Sequence, residues 1–145
     1  MRKLKAAVVG VGNIGSIHTE IYSSLANVDL TAVCDIDQEK ADKAASKFDC
    51  KAFYSVESLL AEMPMEIASV CTKGEENGGD HYLPTVQLLE AGIHVLGEKP
   101  ISNKIEHARL MTRLAGQKQV RYGINLNHRF TPSAIKAKEL SLIHI

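Results

Sequence analysis

A glycine pattern near the amino terminus constrains this 145-residue chain more than any other feature. Residues 6–9 are apolar, read as a short buried strand, and run into Gly10-Val11-Gly12-Asn13-Ile14-Gly15, the spacing G-x-G-x-x-G. Residues 16–25 then have the pattern of a helix. In a strand–turn–helix context each glycine has its own task. Gly10 allows the tight turn off the strand, Gly12 lets a pyrophosphate come close to the backbone, and Gly15 lets the helix pack on the strand. The helix start offers free N–H groups and a positive dipole end to phosphate. A glycine turn that binds nothing is the plainer reading, and the flanking strand and helix argue against it.

The next segments fit the same plan. Residues 28–34 are rich in β-branched side chains and read as a second strand ending at Asp35. Asp35 lies about twenty residues past the glycine loop, where a dinucleotide fold sets an acid against the adenosine ribose. A carboxylate accepts hydrogen bonds from ribose hydroxyls and repels a 2′-phosphate. Ile36 and Asp37 follow rather than an arginine, so the expected cofactor is NAD rather than NADP. The competing role for Asp35 is a cap for the helix beginning near Asp37. Residues 38–48 read as that helix, with Ala41, Ala44, Ala45 and Phe48 on one side. A short strand follows at 52–54, a helix at 56–63 stopped by Pro64, and an apolar fourth strand at 67–71. Alternation of strand and helix predicts a doubly wound parallel α/β sheet, the NAD(P)-binding Rossmann fold.

Composition narrows the function. Seventeen Lys and Arg balance seventeen Asp and Glu, which argues against a general electrostatic grip on nucleic acid or anionic membrane. No apolar run is long enough to span a bilayer. Arg2, Lys3 and Lys5 precede too short an apolar segment for a signal peptide. Cys34, Cys50 and Cys71 lack metal or CxxC spacing, so no metal site is expected; free thiols of a reducing, cytoplasmic protein are. The loop after the fourth strand, residues 72–81, is polar and glycine-rich. Ligands bind beyond the carboxyl ends of parallel strands, so Thr72 is a site candidate. Glu75, Glu76 and Asn77 read as a solvated connector, with a helix cap at Asp80. Residues 82–91 form the next helix, with Gly92 just past its end. Residues 93–96 form a fifth strand delivering Gly97-Glu98-Lys99-Pro100. A helix at 103–116 and a sixth strand at 121–126 lead to Asn127-His128-Arg129-Phe130.

Taken together, Gly10-x-Gly12-x-x-Gly15, Asp35, Ala91-Gly92-Ile93-His94-Val95-Leu96 leading into Glu98-Lys99-Pro100, and Asn127-His128-Arg129-Phe130 resemble the amino-terminal half of the Gfo/Idh/MocA oxidoreductases. The resemblance runs from Leu4 to about Leu140. It implies a Rossmann domain over residues 1–126, a crossover to an α/β substrate domain beginning at 127–140, and NAD(P)-dependent oxidation of a sugar or polyol hydroxyl, or the reverse reduction. Lys99 matches the lysine beside the nicotinamide and the substrate hydroxyl, where an ammonium stabilises negative charge as hydride leaves. Pro100 fixes the backbone after it, with a cis Lys99–Pro100 bond compatible, and Glu98 is expected to hold Lys99 by an ion pair. Asn13 and Ile14 give backbone N–H groups to the pyrophosphate. Arg129 matches a position near the cofactor and the domain junction. His81 either approaches the nicotinamide ribose or caps a helix. The full-length protein is expected to form homo-oligomers.

Two departures stand out. The insertion at 74–80 replaces a shorter proline–asparagine loop of the family. The tail at 141–145 breaks the family pattern, so residues after about Glu139 read as non-native, and the second domain is missing. A stand-alone NAD-binding redox sensor or partner subunit is the alternative class; it needs the glycine loop and Asp35 but not Glu98-Lys99-Pro100. An NADP-linked reductase of an imine, biliverdin or a dihydrodiol is a third reading.

Overall fold

The computed structural model describes residues 2–74 and 81–143. Apolar, β-branched runs become six strands: β1 (Leu4–Val9), β2 (Val28–Cys34), β3 (Lys51–Phe53), β4 (Ile67–Val70), β5 (His94–Gly97) and β6 (Tyr122–Ile124). The helices between and after them are α1 (Asn13–Ser24), α2 (Gln38–Phe48), α3 (Val56–Glu62), α4 (Tyr82–Glu90), α5 (Ile105–Gln117) and α6 (Pro132–Ile143). All five strand pairings are parallel, in the order β3-β2-β1-β4-β5-β6. The expected doubly wound sheet is therefore present.

Strand periodicity sorts the core into two layers. Ala7 and Val9 of β1 join Leu59, Leu88, Leu89 and Met111 on one side; Val8 joins Leu30, Val33, Ala45 and Cys71 on the other. Gly92, at φ +78°, turns the chain from α4 toward β5. Asp37 caps α2 through the Lys40 amide and Ser55 caps α3 through the Ser58 amide.

β2 and α2 fall where the sequence put them. Elsewhere the ends move by up to three residues: α1 begins at Asn13 rather than residue 16, and α5 at Ile105 rather than 103. The shift in α1 matters, because the last three positions of the glycine pattern, Asn13, Ile14 and Gly15, become the first turn of the helix. Asn127–Phe130 forms a 3-10 turn, against which α6 packs, and Phe130 is 75% exposed. The expectations for Glu75, Glu76, Asn77 and Asp80 lie outside the described residues.

Cys34 and Cys71 are buried and Cys50 half-buried, all as free thiols. Burial pushes Cys34 and Cys71 up to about 12, helped by the negative charges of Asp35 and Glu98 respectively. An unfolded chain gives up these protons near the ordinary thiol value of 9.0. Their stabilising share is thus complete below that value and is lost as pH climbs from there toward about 12. The melting temperature is expected to fall over that alkaline window, and a Cys34→Ala, Cys71→Ala double variant to fall less; identical slopes would refute the assignment.

Candidate functional site

Because every strand is parallel, the chain leaves each one at the same edge of the sheet. The backbone ladder continues beyond the strand ends there. Gly10 N–H donates to the Cys34 carbonyl (2.7 Å), Asp35 N–H to Phe53 (3.0 Å), Glu98 N–H to Val70 (3.0 Å) and Asn125 N–H to Gly97 (2.8 Å). The sequence candidates after β1, β2, β4 and β5 are thereby held at one edge, which is where α/β sheets bind ligands, at the reversal of strand order between β1 and β4.

The glycine loop is shaped as its spacing demands. Gly10 has φ +85°, and a side chain there would stand 2.7 Å from the Thr72 amide nitrogen. A Cβ on Gly15 would overlap the Gly10 carbonyl oxygen, so α1 rests directly on the turn. Gly12 differs: an added Cβ meets nothing within 4 Å. The same residue is the N-cap of α1, which has no side-chain cap and no acid in its first turn. Helix α1 thus starts with uncapped amides beneath open space, while α2 and α3 are capped by their own side chains. This arrangement fits a pyrophosphate on the Asn13 and Ile14 amides.

Asp35 is joined to the loop. Its Oδ2 accepts the Val11 N–H at 2.8 Å and its Oδ1 accepts the Asp37 N–H at 3.0 Å. Capping of α2 falls to Asp37, so the competing role for Asp35 does not apply. Beside it, Ile36 is 92% exposed.

Thr72, past β4, pairs its hydroxyl with His81 Nδ1 at 3.1 Å. His81 occupies the N-cap position of α4 but makes no capping hydrogen bond with its side chain. The two candidates come together, and His81 is not the plain cap that sequence reasoning allowed.

Glu98 departs from expectation. Its side chain forms no ion pair with Lys99; the carboxylate turns inward, where Oε1 accepts from Asn125 Nδ2 (2.6 Å) and lies 3.2 Å from His18 Nε2. Oε2 accepts the Lys99 backbone N–H at 3.3 Å. Successive residues of an extended segment face opposite ways, so Glu98 is buried and Lys99 exposed. His18 Nδ1 contacts Ser69 Oγ at 3.0 Å, and Tyr22 reaches the same oxygen at 2.8 Å. Burial raises the Tyr22 phenol above its ordinary range, opposed by that hydrogen bond. The Lys99–Pro100 peptide is cis. Arg129 is exposed on the 3-10 turn, and among the described residues its side chain has no hydrogen bond or ion pair to the other candidates.

Sequence reasoning missed His18, Ser69 and Asn125. One signal was available: His18 lies three residues past Gly15, on the face of α1 that turns inward, where a polar ring needs a partner. No helix among the described residues is long and apolar enough to cross a membrane, and none of their His, Cys, Asp and Glu side chains gather as a metal site.

Comparison with known proteins agrees with this geometry. Residues 4–126 match the family model GFO_IDH_MocA, described as an oxidoreductase family with an NAD-binding Rossmann fold. Among curated relatives, UDP-N-acetylglucosamine 3-dehydrogenase of Acidithiobacillus ferrooxidans is 29% identical over 92% of this chain and 40% of its own length. Glucose-6-phosphate 3-dehydrogenase of Bacillus subtilis is 32% identical over 87% of this chain and 34% of its own length. The chain thus spans well under half of the relatives it matches. Among solved structures, the same Acidithiobacillus ferrooxidans enzyme superimposes with a TM-score of 0.84 at 28% identity, covering 97% of this chain and 44% of that one. GenD2 from gentamicin A biosynthesis, in complex with NAD, gives 0.85 at 27% identity over 97% of this chain and 39% of that one. The chain belongs to the Gfo/Idh/MocA oxidoreductase family and carries its amino-terminal NAD-binding Rossmann fold.

Proposed function

We propose that this chain is the cofactor-binding half of an NAD-dependent oxidoreductase that moves a hydride between a sugar or polyol carbinol and nicotinamide, with Lys99 at the reaction centre. The observation that supports it is shared location: Glu98-Lys99-Pro100 leaves β5 at the sheet edge that also bears Gly10, Gly12 and Asp35. Names of the relatives, sugar 3-dehydrogenases and inositol dehydrogenases, supply the substrate class.

In this reading the Asn13 and Ile14 amides hold the pyrophosphate and Asp35 the adenosine ribose. Thr72 and His81 line the path toward the nicotinamide ribose, and Glu98, Lys99, Pro100 and Arg129 form the nicotinamide end. NAD held by these residues would supply the hydride acceptor for the carbinol carbon. Lys99 would donate a hydrogen bond to the hydroxyl oxygen and stabilise the negative charge that grows there as the hydroxyl proton passes to a base of the substrate domain. Residues 1–126 make up the cofactor domain, and residues 127–140 begin the crossover to a substrate domain. The full-length enzyme is a homo-oligomer in the cytoplasm.

Asp35 carries the cofactor choice. NAD is expected to bind this chain at least about tenfold tighter than NADP, because a carboxylate facing a 2′-phosphate near the surface costs on the order of 1–3 kcal/mol. Asp35→Ala is expected to erase that preference, as read by fluorescence titration of the reduced cofactors; tighter NADP binding by the unaltered chain would refute it. The activity is tested by joining the chain to a substrate domain of the kind its relatives carry and following NADH absorbance with a panel of sugars and polyols. Oxidation of at least one ring polyol is expected. Cofactor binding without turnover of any member would instead favour a sensor.

A further inference from the structure

Glu98 is 8% exposed and His18 7%. Burying a carboxylate is costly unless hydrogen bonds and opposite charge compensate, and an apolar replacement of such a group is often no less stable. A buried polar cluster is therefore better explained by what it holds in place than by the stability it adds. Here it joins four elements: His18 and Tyr22 from α1, Ser69 from β4, Glu98 from the end of β5 and Asn125 from the end of β6. Asn125 Nδ2 also lies 3.2 Å from His18 Nε2, so the amide touches both members of the pair. One end of α1 is the phosphate cradle. One end of the cluster is the peptide bearing Lys99, whose N–H is bound by Glu98 Oε2.

We propose that Asn125 and His18 are positioning residues: by clamping the Glu98 carboxylate they fix the Lys99 backbone relative to the α1 cradle, and so set where the Lys99 ammonium stands against the nicotinamide. The inference rests on the reading of Lys99 given above. It has a consequence in binding as well as in turnover. An ammonium beside the ring repels the positively charged oxidised nicotinamide and not the neutral reduced one. Correctly placed, it makes the chain prefer NADH over NAD by about tenfold, the size of a partly screened interaction between two unit charges. ADP-ribose lacks the ring and reports the cradle and Asp35 alone.

The test measures dissociation constants of NADH, NAD and ADP-ribose for the unaltered chain and for Lys99→Met, Asn125→Ala and His18→Gln. Asn125 lies at the half-buried exit of β6, so its truncation leaves α1 packed, and it changes no charge. The expected result is loss of the NADH preference in all three variants with ADP-ribose affinity unchanged. Equal weakening of all three ligands in Asn125→Ala and His18→Gln would make the cluster merely structural and overturn the proposal. Loss of the preference in Lys99→Met alone would also overturn it while leaving the Lys99 reading intact. A preference that survives Lys99→Met would refute the Lys99 reading itself.

Discussion

In the chain joined to a substrate domain, Lys99→Met is expected to lower kcat by about 10²- to 10⁴-fold, the usual span for a group that moves or stabilises charge at the reacting oxygen. Methionine keeps most of the length and apolar bulk of the side chain and removes only the ammonium. Lys99 is exposed on the peptide after β5 and forms no ion pair with Glu98, so the change leaves no buried charge without its partner. Stability should be unaltered, and ADP-ribose should bind as before, because the glycine loop and Asp35 belong to other strand ends. A single-turnover measurement of hydride transfer separates the chemical step from release of product. If transfer is as fast in Lys99→Met as in the parent, Lys99 has no part in the reaction.

The second large effect concerns the fold itself. Gly15→Ala is expected to cost about 3 kcal/mol or more, above the usual range for overpacking, because the new methyl group meets backbone rather than a yielding side chain. It would overlap the Gly10 carbonyl oxygen and stand 2.8 Å from the Gly10 carbonyl carbon. Relief requires α1 to lift from the turn, which also displaces the amides of Asn13 and Ile14. Cofactor affinity and the denaturation midpoint should fall together. Gly12→Ala makes the contrast. Its backbone is at φ −67°, open to any residue, and its Cβ would meet no protein atom. Stability should be unchanged there, while NAD and ADP-ribose binding weaken because the methyl occupies the approach of the phosphates. A Gly12→Ala chain that binds both ligands normally would show that the pyrophosphate does not pass over this residue.

Much of this site was legible from local chemistry. The glycine spacing, the acid after β2 and the apolar runs each act over a few residues, and the structure puts them where such rules require. The junction of β2 and α2 was readable because a β-branched run ends at Asp35 and an alanine-faced helix begins after Asp37, and the side chains of these two acids settle the junction within two residues. The start of α1 was misread for an equally local reason: glycines suggest loop, but Gly12 caps this helix and Gly15 lies inside it. Sequence proximity misled at Glu98 and Lys99. Adjacent opposite charges invite pairing, yet an extended chain sends one inward and one outward.

The sequence by itself therefore determined the parallel alternation, the glycine turn and the acid bonded to it, because each depends on backbone conformation and contacts among near neighbours. Only the tertiary structure decided who holds Glu98. The cluster around that carboxylate brings His18 to Asn125 across 107 positions, and no periodicity or spacing encodes a partner at that separation until the sheet order is fixed.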